Sequence, residues 1–400
     1  MVVAVTDASG TRVVPSSGTD PNMLCEIGSV TKVMTATLIL QHAAQGDVAL
    51  NDPVASFVTD FELDRPDATP RVTVAHLLGH ASGVDFDEFT DAGDDDGCLA
   101  RYVREDLRGE VWDAPGTRWN YSNGGYSLLG RLVEVLDGRP FDDALVDRIA
   151  EPIGVTVTTW PRIGPKRDVA VGHSRDADTG RIVEEHRRFP RSAGPAGGAL
   201  ATASDLARFG RALVSGGNEL LPPEWASRMR TWQMAARNGG QGLGWLLNHD
   251  GIPYYAGGTV GHTAYLTAVP GGAAIGVVAN TVGGAGGVAR AVAAHLFGAP
   301  SPSVDPVPEA PDFPPAACAG RYVRRSSAHD IRLDGDGLVA HQLDFGPITD
   351  LLPALPPFRL HPLGGGCYAT EQGLRWDFSD PDPDGRPTRL LTLRSHIRRT

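Results

Sequence analysis

Apolar and polar positions alternate near both ends of the first 300 residues, and alternation with a period of two predicts β-strands. The strands predicted in this way are two short ones within residues 1–14, which turn at Ala8-Ser9-Gly10, and two more at residues 263–269 and 274–279. We expect strands from both ends of this segment to share one antiparallel sheet, with helices packed on it.

Helical patterns fill much of the remaining sequence. The most apolar one begins at Ser29 and runs to about Gly46. The other main helices are predicted at residues 123–136, after the capping pair Thr202 and Asp205, and at residues 287–297. From about residue 47 to 198 the chain otherwise reads as loops and short helices, which predicts a mostly helical subdomain.

A change of composition after residue 298 predicts a domain boundary. Residues 299–316 contain seven prolines, which is typical of a stiff linker. Residues 317–400 alternate again and turn at Asp334-Gly335-Asp336-Gly337 and at Asp384-Gly385, which predicts a small β-barrel or sandwich. The predicted fold is therefore α+β over residues 1–298, followed by the linker and a small all-β domain.

Composition and charge exclude several classes of partner. The 41% hydrophobic content is enough for a large core, and the formal net charge of −12 argues against binding to nucleic acid or to an anionic membrane. The sequence contains no run of eighteen uncharged apolar residues, so no membrane-spanning helix is predicted. The first residues lack the pattern of a signal peptide, and we therefore expect a cytoplasmic location. The four cysteines show no C-x-x-C spacing and suit reduced thiols.

Lysine usage singles out one position. Lys and Arg together number 36, yet only Lys32 and Lys166 are lysines. Lys32 stands three residues after Ser29, so the two side chains share a helix face. An amine in an apolar helix is poorly solvated, which lowers its pKa, and a serine beside a neutral amine is an activated nucleophile. The alternative is an ordinary helix start whose lysine extends to water.

Two further segments carry polar groups that suit acyl-transfer chemistry. Tyr121 and Asn123 lie on a short turn before a predicted helix, where a tyrosine near a cation can act as a general base. His262, Thr263, Ala264 and Tyr265 begin a predicted strand. A turn with a capping residue and a buried strand histidine are the alternative readings.

Together these motifs resemble the serine β-lactamase and penicillin-binding-protein family, in particular class C β-lactamases, DD-peptidases and related esterases. The resemblance covers about residues 1–298 and rests on Ser29-x-x-Lys32, Tyr121-x-Asn123 and His262-Thr263-Ala264. It implies an antiparallel sheet flanked by helices. The C-terminal domain resembles the lipocalin-like barrel of some members.

The resemblance also implies roles for the site residues. Ser29 would be acylated, and Lys32 would help to remove its proton. Tyr121 would act as general base and acid, Asn123 would hold the acyl side chain, and His262 would be a polar neighbour of Tyr121. The backbone N–H groups of Ser29 and Tyr265 would form the oxyanion hole. Ala264 stands where the family usually has glycine, and no metal or organic cofactor is implied.

Several functions are compatible with this site. The preferred one is an enzyme that forms an acyl-Ser29 intermediate from a peptide-like amide, ester or thioester and passes the acyl group to water or an amine. A stand-alone thioesterase that cyclises or transfers peptidyl chains, free or carrier-linked, is the nearest alternative. A DD-peptidase, a β-lactamase and a non-enzymatic acyl-binding sensor are the others. The sequence does not define the oligomeric state.

Two other polar patterns have simpler structural interpretations. His76 and His80 are spaced as zinc ligands could be, but no glutamate follows His76, so a packing role is preferred. The acidic residues between 85 and 96 suit a solvated loop, with attraction of an amine-bearing substrate as the alternative.

Overall fold

The computed structural model describes residues 1–86, 89–164, 168–176, 179–215, 220–236, 239–269, 271–299, 313–350, 355–371 and 374–399, with only the backbone for 348 and 350. These residues form two compact units. The first comprises residues 1–119, 123–175 and 182–303, and the second comprises residues 120–122, 176–181 and 304–400. Of the predicted linker, residues 300–312 lie outside the described part.

The described residues of the first unit contain nine α-helices and fifteen strands. The helices are α1 (Thr31–Gln45), α2 (Val74–Leu78), α3 (Cys98–Glu105), α4 (Asn123–Asp137), α5 (Phe141–Leu145), α6 (Gly194–Gly197), α7 (Ala203–Val214), α8 (Pro223–Met229) and α9 (Ala285–Phe297). Short 3-10 turns lie at Gly28–Val30, Val54–Ser56, Thr69–Arg71, Trp160–Arg162 and Arg191–Ala193, and a π-helical turn at Val146–Ala150.

The strands of this unit form one large sheet and three small ones. They are β1 (Val2–Asp7), β2 (Gly10–Pro15), β3 (Cys25–Glu26), β4 (Val84–Asp85), β5 (Glu110–Val111), β6 (Val157–Thr159), β7 (Gly172–Arg175), β8 (Ile182–Glu185), β9 (Ala199–Ala201), β10 (Met234–Ala236), β11 (Gly239–Gln241), β12 (Leu246–Leu247), β13 (Pro253–Gly258), β14 (Thr263–Val269) and β15 (Ala273–Ala279). The small sheets are β3-β9-β6, β4-β5 and β7-β8.

The large sheet is antiparallel and joins the two ends of the first unit, as predicted. Its strand order is β10-β11-β12-β13-β14-β15-β1-β2, and β1 pairs with β15 so that Val2 lies opposite Val278. Consecutive side chains of β14 point to opposite faces. Tyr265 packs in the cluster that contains the α9 alanines, and Leu266 lies against Gly210 of α7. The sheet is thus covered on both faces.

Helix α1 is buried around nearly its whole circumference, which explains its almost continuous apolar sequence. It follows the 3-10 turn Gly28–Val30 and ends at Gly46, whose φ of 85° is a left-handed conformation that favours glycine. The predicted helix therefore exists, although Ser29 itself lies on the 3-10 turn. No described helix is long and apolar enough to cross a membrane.

The second unit contains a closed antiparallel barrel, in agreement with the predicted all-β domain. Helix α10 (Pro315–Cys318) precedes the strands β16 (Gly320–Val323), β17 (Ser327–Asp334), β18 (Gly337–Asp344), β19 (Phe358–Gly364), β20 (Cys367–Thr370), β21 (Arg375–Pro381), β22 (Pro387–Leu391) and β23 (Ser395–Arg399), and a 3-10 turn lies at Gly346–Asp350. Closure occurs between β16 and β23. Tyr322, Trp376 and Phe378 are among the side chains that fill the core.

Two buried histidines lie side by side in this barrel. The rings of His329 and His396 have centroids 4.4 Å apart, and the two residues are only 3% and 2% exposed. Burial, with the nearby Arg324 guanidinium, lowers the pKa of His329 to about 3. Burial also holds the pKa of His396 well below its ordinary value. Both rings are therefore neutral in the folded barrel at pH 7.

We predict that the barrel loses stability as the pH falls below about 6.5, the pKa of an unfolded histidine. The unfolded chain then binds protons that the folded barrel excludes, at roughly 1 kcal/mol per pH unit for each histidine. Urea unfolding at pH 7 and pH 5, followed by hydrogen exchange of β17 and β23, measures the change. His329→Gln should reduce the pH dependence, and an unchanged dependence in this variant would contradict the account.

Candidate active site

Ser29 and Lys32 lie at the junction between the 3-10 turn and α1. Ser29 is the middle residue of that turn and is partly exposed, whereas Lys32 is in the first turn of α1 and is 0% exposed. A ligand can therefore reach the serine hydroxyl, while the amine beside it is shielded from water.

The Lys32 amine lies within hydrogen-bond distance of polar atoms from three segments. Nζ lies 2.7 Å from Asn123 Oδ1 and 2.6 Å from the Ala196 carbonyl oxygen, and both oxygens can only accept. It also lies 3.2 Å from Ser29 Oγ, which can either donate or accept. The Tyr126 ring lies 5.5 Å from Nζ. These contacts hold the amine beside the serine hydroxyl.

Three helices bring these groups together. Asn123 begins α4, and Ala196 lies in α6. A Cβ at Gly130 of α4 would lie 2.1 Å from Cγ of Pro195, so glycine allows α4 and α6 to approach closely. Thr35 of α1 donates to the Pro195 carbonyl oxygen at 2.7 Å, which holds α6 against the helix that carries Lys32.

The strand that lies against the Ser29 turn is β13. A Cβ at Gly28 would lie 2.6 Å from Gly258 N, and one at Gly257 would lie 1.9 Å from Ile27 O and 3.0 Å from Ser29 N. Gly28 also has a φ of 51°, in the left-handed region. The turn and the strand are therefore in backbone-to-backbone contact, which only glycines permit.

The register of the β13–β14 hairpin determines which amides face this turn. Thr259 N donates to His262 O at 3.0 Å and closes the hairpin. Opposite residues alternate between hydrogen-bonded and non-bonded pairs. The pair Gly258–Thr263 is then non-bonded, as is Ala256–Tyr265. The Gly258 N–H therefore points away from β14, on the side of the Ser29 turn, and the Tyr265 N–H points to β15.

The predicted motif His262-Thr263-Ala264 consequently lies one strand farther from Ser29 than expected. Thr263 donates to Thr281 O at 2.7 Å, and Ala264 is buried opposite Gly257. His262 Nε2 lies 2.9 Å from Ala170 O, and Nδ1 lies 3.5 Å from Glu26 Oε2. Ala256-Gly257-Gly258, rather than His262-Thr263-Ala264, borders the serine, and the Tyr265 amide is at odds with the predicted oxyanion role.

Tyr121 precedes Asn123 by two residues and is 5% exposed. Its role as general base stays a prediction. The sequence analysis missed the Ala196 carbonyl, Gly258 and Glu26. For Gly258 the available signal was the pair of successive glycines at 257 and 258, and for Glu26 it was a glutamate three residues before Ser29.

The remaining polar patterns have structural roles. His76 Nδ1 accepts from Thr73 N at the start of α2, and His80 Nε2 lies 3.2 Å from Tyr255 Oη. No group of three or more His, Cys, Asp or Glu in the described ranges could hold a metal. The four cysteines, Cys25, Cys98, Cys318 and Cys367, are free and buried.

Two carboxylates of the acidic loop are paired with arginines. Asp95 pairs with Arg101 at 2.7 Å, and Asp96 pairs with Arg191 at 2.6 Å. The Arg191 guanidinium holds the pKa of Asp96 below its usual range. At these two positions an arginine balances the carboxylate charge. Asp87 and Glu88 lie outside the described residues.

We predict that Gly257→Ala disrupts the contact between β13 and the Ser29 turn, because its Cβ would overlap the Ile27 carbonyl oxygen. Overpacking of this kind costs about 1–3 kcal/mol. Gly287→Ala in α9 is the matched control, since no atom lies within 4 Å of its added Cβ, and alanine there should be neutral or stabilising by up to about 1 kcal/mol. Urea unfolding compares the two variants. Equal midpoints would contradict the close approach.

Comparison with known proteins agrees with this architecture. Residues 1–299 match the β-lactamase family. Penicillin-binding protein 4 of Amycolatopsis lactamdurans is 36% identical over 330 residues, which are 75% of this chain and 84% of that protein. Esterase EstB of Burkholderia gladioli is 28% identical over 291 residues, which are 61% of this chain and 74% of the esterase.

A solved structure extends the likeness of fold to the whole chain. SurE in complex with D-Leu superposes with a TM-score of 0.76 and 23% identity, covering 100% of this chain and 94% of that one. The family match covers three quarters of the sequence, and one relative is 36% identical. These two findings establish the family of this chain. The chain belongs to the β-lactamase family of serine hydrolases.

Proposed function

We propose that this protein is an acyl-transfer enzyme in which Ser29 attacks the carbonyl carbon of a peptide-like amide, an ester or a thioester. The observation that carries the proposal is the 3.2 Å contact between the buried Lys32 amine and the partly exposed Ser29 hydroxyl. Asn123 Oδ1 and the Ala196 carbonyl oxygen accept hydrogen bonds from the same amine and hold it beside the serine, with which it can exchange a proton.

In the acylation step, Lys32 Nζ takes the hydroxyl proton as Ser29 Oγ forms its bond to the carbonyl carbon. The negative charge that develops on the carbonyl oxygen is stabilised by the Ser29 N–H and, from the hairpin register, by the Gly258 N–H. A donor of this kind contributes roughly 3–4 kcal/mol to transition-state stabilisation. Gly258 replaces Tyr265 in this role.

Collapse of the tetrahedral intermediate expels the leaving group, which takes a proton from Tyr121 or Lys32. Asn123 Oδ1 accepts a hydrogen bond from Lys32, and in this proposal the amide nitrogen of Asn123 donates to the acyl side chain. Water or an amine then attacks the acyl-Ser29 ester by the reverse sequence of proton transfers.

The relatives support ester and amide substrates. One is named an esterase and another a penicillin-binding protein, and the family takes its name from enzymes that open a lactam amide. An acyl-binding sensor would form the same adduct without turnover. Mass spectrometry and product analysis with a 4-nitrophenyl ester, a β-lactam and a peptide thioester with a free amino terminus therefore distinguish trapping, hydrolysis and transfer.

We predict that Ser29→Ala abolishes the covalent adduct with every one of these probes. Lys32→Met should slow acylation by about 10²- to 10⁴-fold, the usual contribution of a general base. Lys166→Met, at the other lysine of the chain, is the matched control and should leave the rate unchanged. The rate of 4-nitrophenol release measures all three. Full activity in Lys32→Met would exclude the proposed mechanism.

A further inference from the structure

Glu26 is a buried carboxylate three residues before Ser29, and the mechanism above does not use it. It is 7% exposed and accepts from Trp160 Nε1 at 2.8 Å. His262 Nδ1 lies 3.5 Å from its other oxygen. Burial alone would raise the pKa of Glu26, but hydrogen bonds from His262, Thr259 and Trp160 outweigh it, so the pKa lies below its ordinary value.

Two of these donors belong to the hairpin turn that follows Gly258. Thr259 is the next residue, and its hydroxyl lies 3.5 Å from His262 Nδ1. The Thr259 N–H bond to His262 O closes the turn. Glu26 therefore binds the end of the hairpin from which the Gly258 N–H projects.

The opposite side of the His262 ring is held as well. Nε2 donates to Ala170 O at 2.9 Å, and Ala170 N donates to Leu24 O at 2.8 Å. The ring thus joins the hairpin to the segment that runs from Leu24 to Ser29. Nε2 carries a proton when it donates to the Ala170 carbonyl oxygen, and Nδ1 then faces the Glu26 carboxylate at 3.5 Å on the other side of the ring.

The two proposed oxyanion donors lie on these two segments. The Ser29 N–H follows Glu26 by three residues, and the Gly258 N–H precedes Thr259 directly. Their separation depends on how the segments are held. Donors of this kind function only when they are fixed to within about 0.5 Å.

We propose that Glu26 is a positioning residue that fixes the spacing of the Ser29 and Gly258 N–H groups through its contacts with His262 and Thr259. This inference rests on the proposed acyl-Ser29 mechanism and on the oxyanion role of Gly258. It gives His262 a function in supporting the site, in place of direct contact with substrate or Tyr121. Loosening this link weakens stabilisation that exists mainly in the transition state, so kcat falls while KM changes little.

The test measures kcat and KM for a 4-nitrophenyl ester in Glu26→Gln, His262→Gln and the double variant. Removal of one oxyanion donor lowers kcat by about 10²- to 10³-fold, so a displaced donor should lower it by roughly 10- to 100-fold. The double variant should be no slower than the slower single variant, because both changes break the same link.

Glu185→Gln is the matched control. Glu185 lies in the same small cleft but accepts from Ser174 and Arg187, so its loss should leave kcat within twofold. Thr259→Val removes a single hydroxyl and provides a milder variant, with an expected loss of several-fold in kcat. Thermal unfolding checks that each variant is folded at the assay temperature.

The outcomes separate this inference from the proposed function. Unchanged kcat in Glu26→Gln and Thr259→Val, an additive double variant, or a rise in KM alone overturns the positioning role. If Ser29→Ala still forms the adduct, the proposed function itself is wrong. If Ser29→Ala forms no adduct but the Glu26, His262 and Thr259 variants keep the wild-type kcat, acylation at Ser29 stands and the positioning role fails.

Discussion

The short contacts of the Lys32 amine are the interaction on which the rest of the site depends. An amine with 0% exposure needs partners for its hydrogens, and here they come from α4 and α6. The same contacts orient the amine toward Ser29. Burial of α1 on nearly all sides is therefore a requirement of the chemistry as well as of the fold, because it excludes water from the base.

A second constraint is the approach of the Ser29 turn to β13. Glycines 28 and 257 leave no room for a Cβ between the two backbones. This contact brings a helix start and a strand edge close enough for their N–H groups to act on one oxygen atom. The polar link from Glu26 to the hairpin supplies directional bonds next to two positions, 28 and 257, where glycine has no side chain to pack.

Local patterns sufficed to predict strands at both ends of the first unit, helix α1 and the C-terminal barrel, because periodicity and turn residues lie within each element. Lys32 and Ser29 were also evident, since they are three residues apart. The strand beside the serine was placed one too far along the chain. Ala256-Gly257-Gly258 ends β13, whereas His262-Thr263-Ala264 runs from the hairpin turn into β14, and only hairpin closure at Thr259 shows which amides point outward. The pairing of Asp96 with Arg191, 95 residues apart, likewise has no local signal.

The most direct test is NMR of protein labelled with [ε-13C]lysine, because the chain has only two lysines and Lys166→Arg assigns both signals. An ordinary lysine side chain has a pKa of about 10.4. Because the neutral amine is the proposed base, we expect the Lys32 signal and the acylation rate to follow the same pH dependence. Acylation that reaches its full rate at a pH where the Lys32 signal is still that of an ammonium would contradict the account.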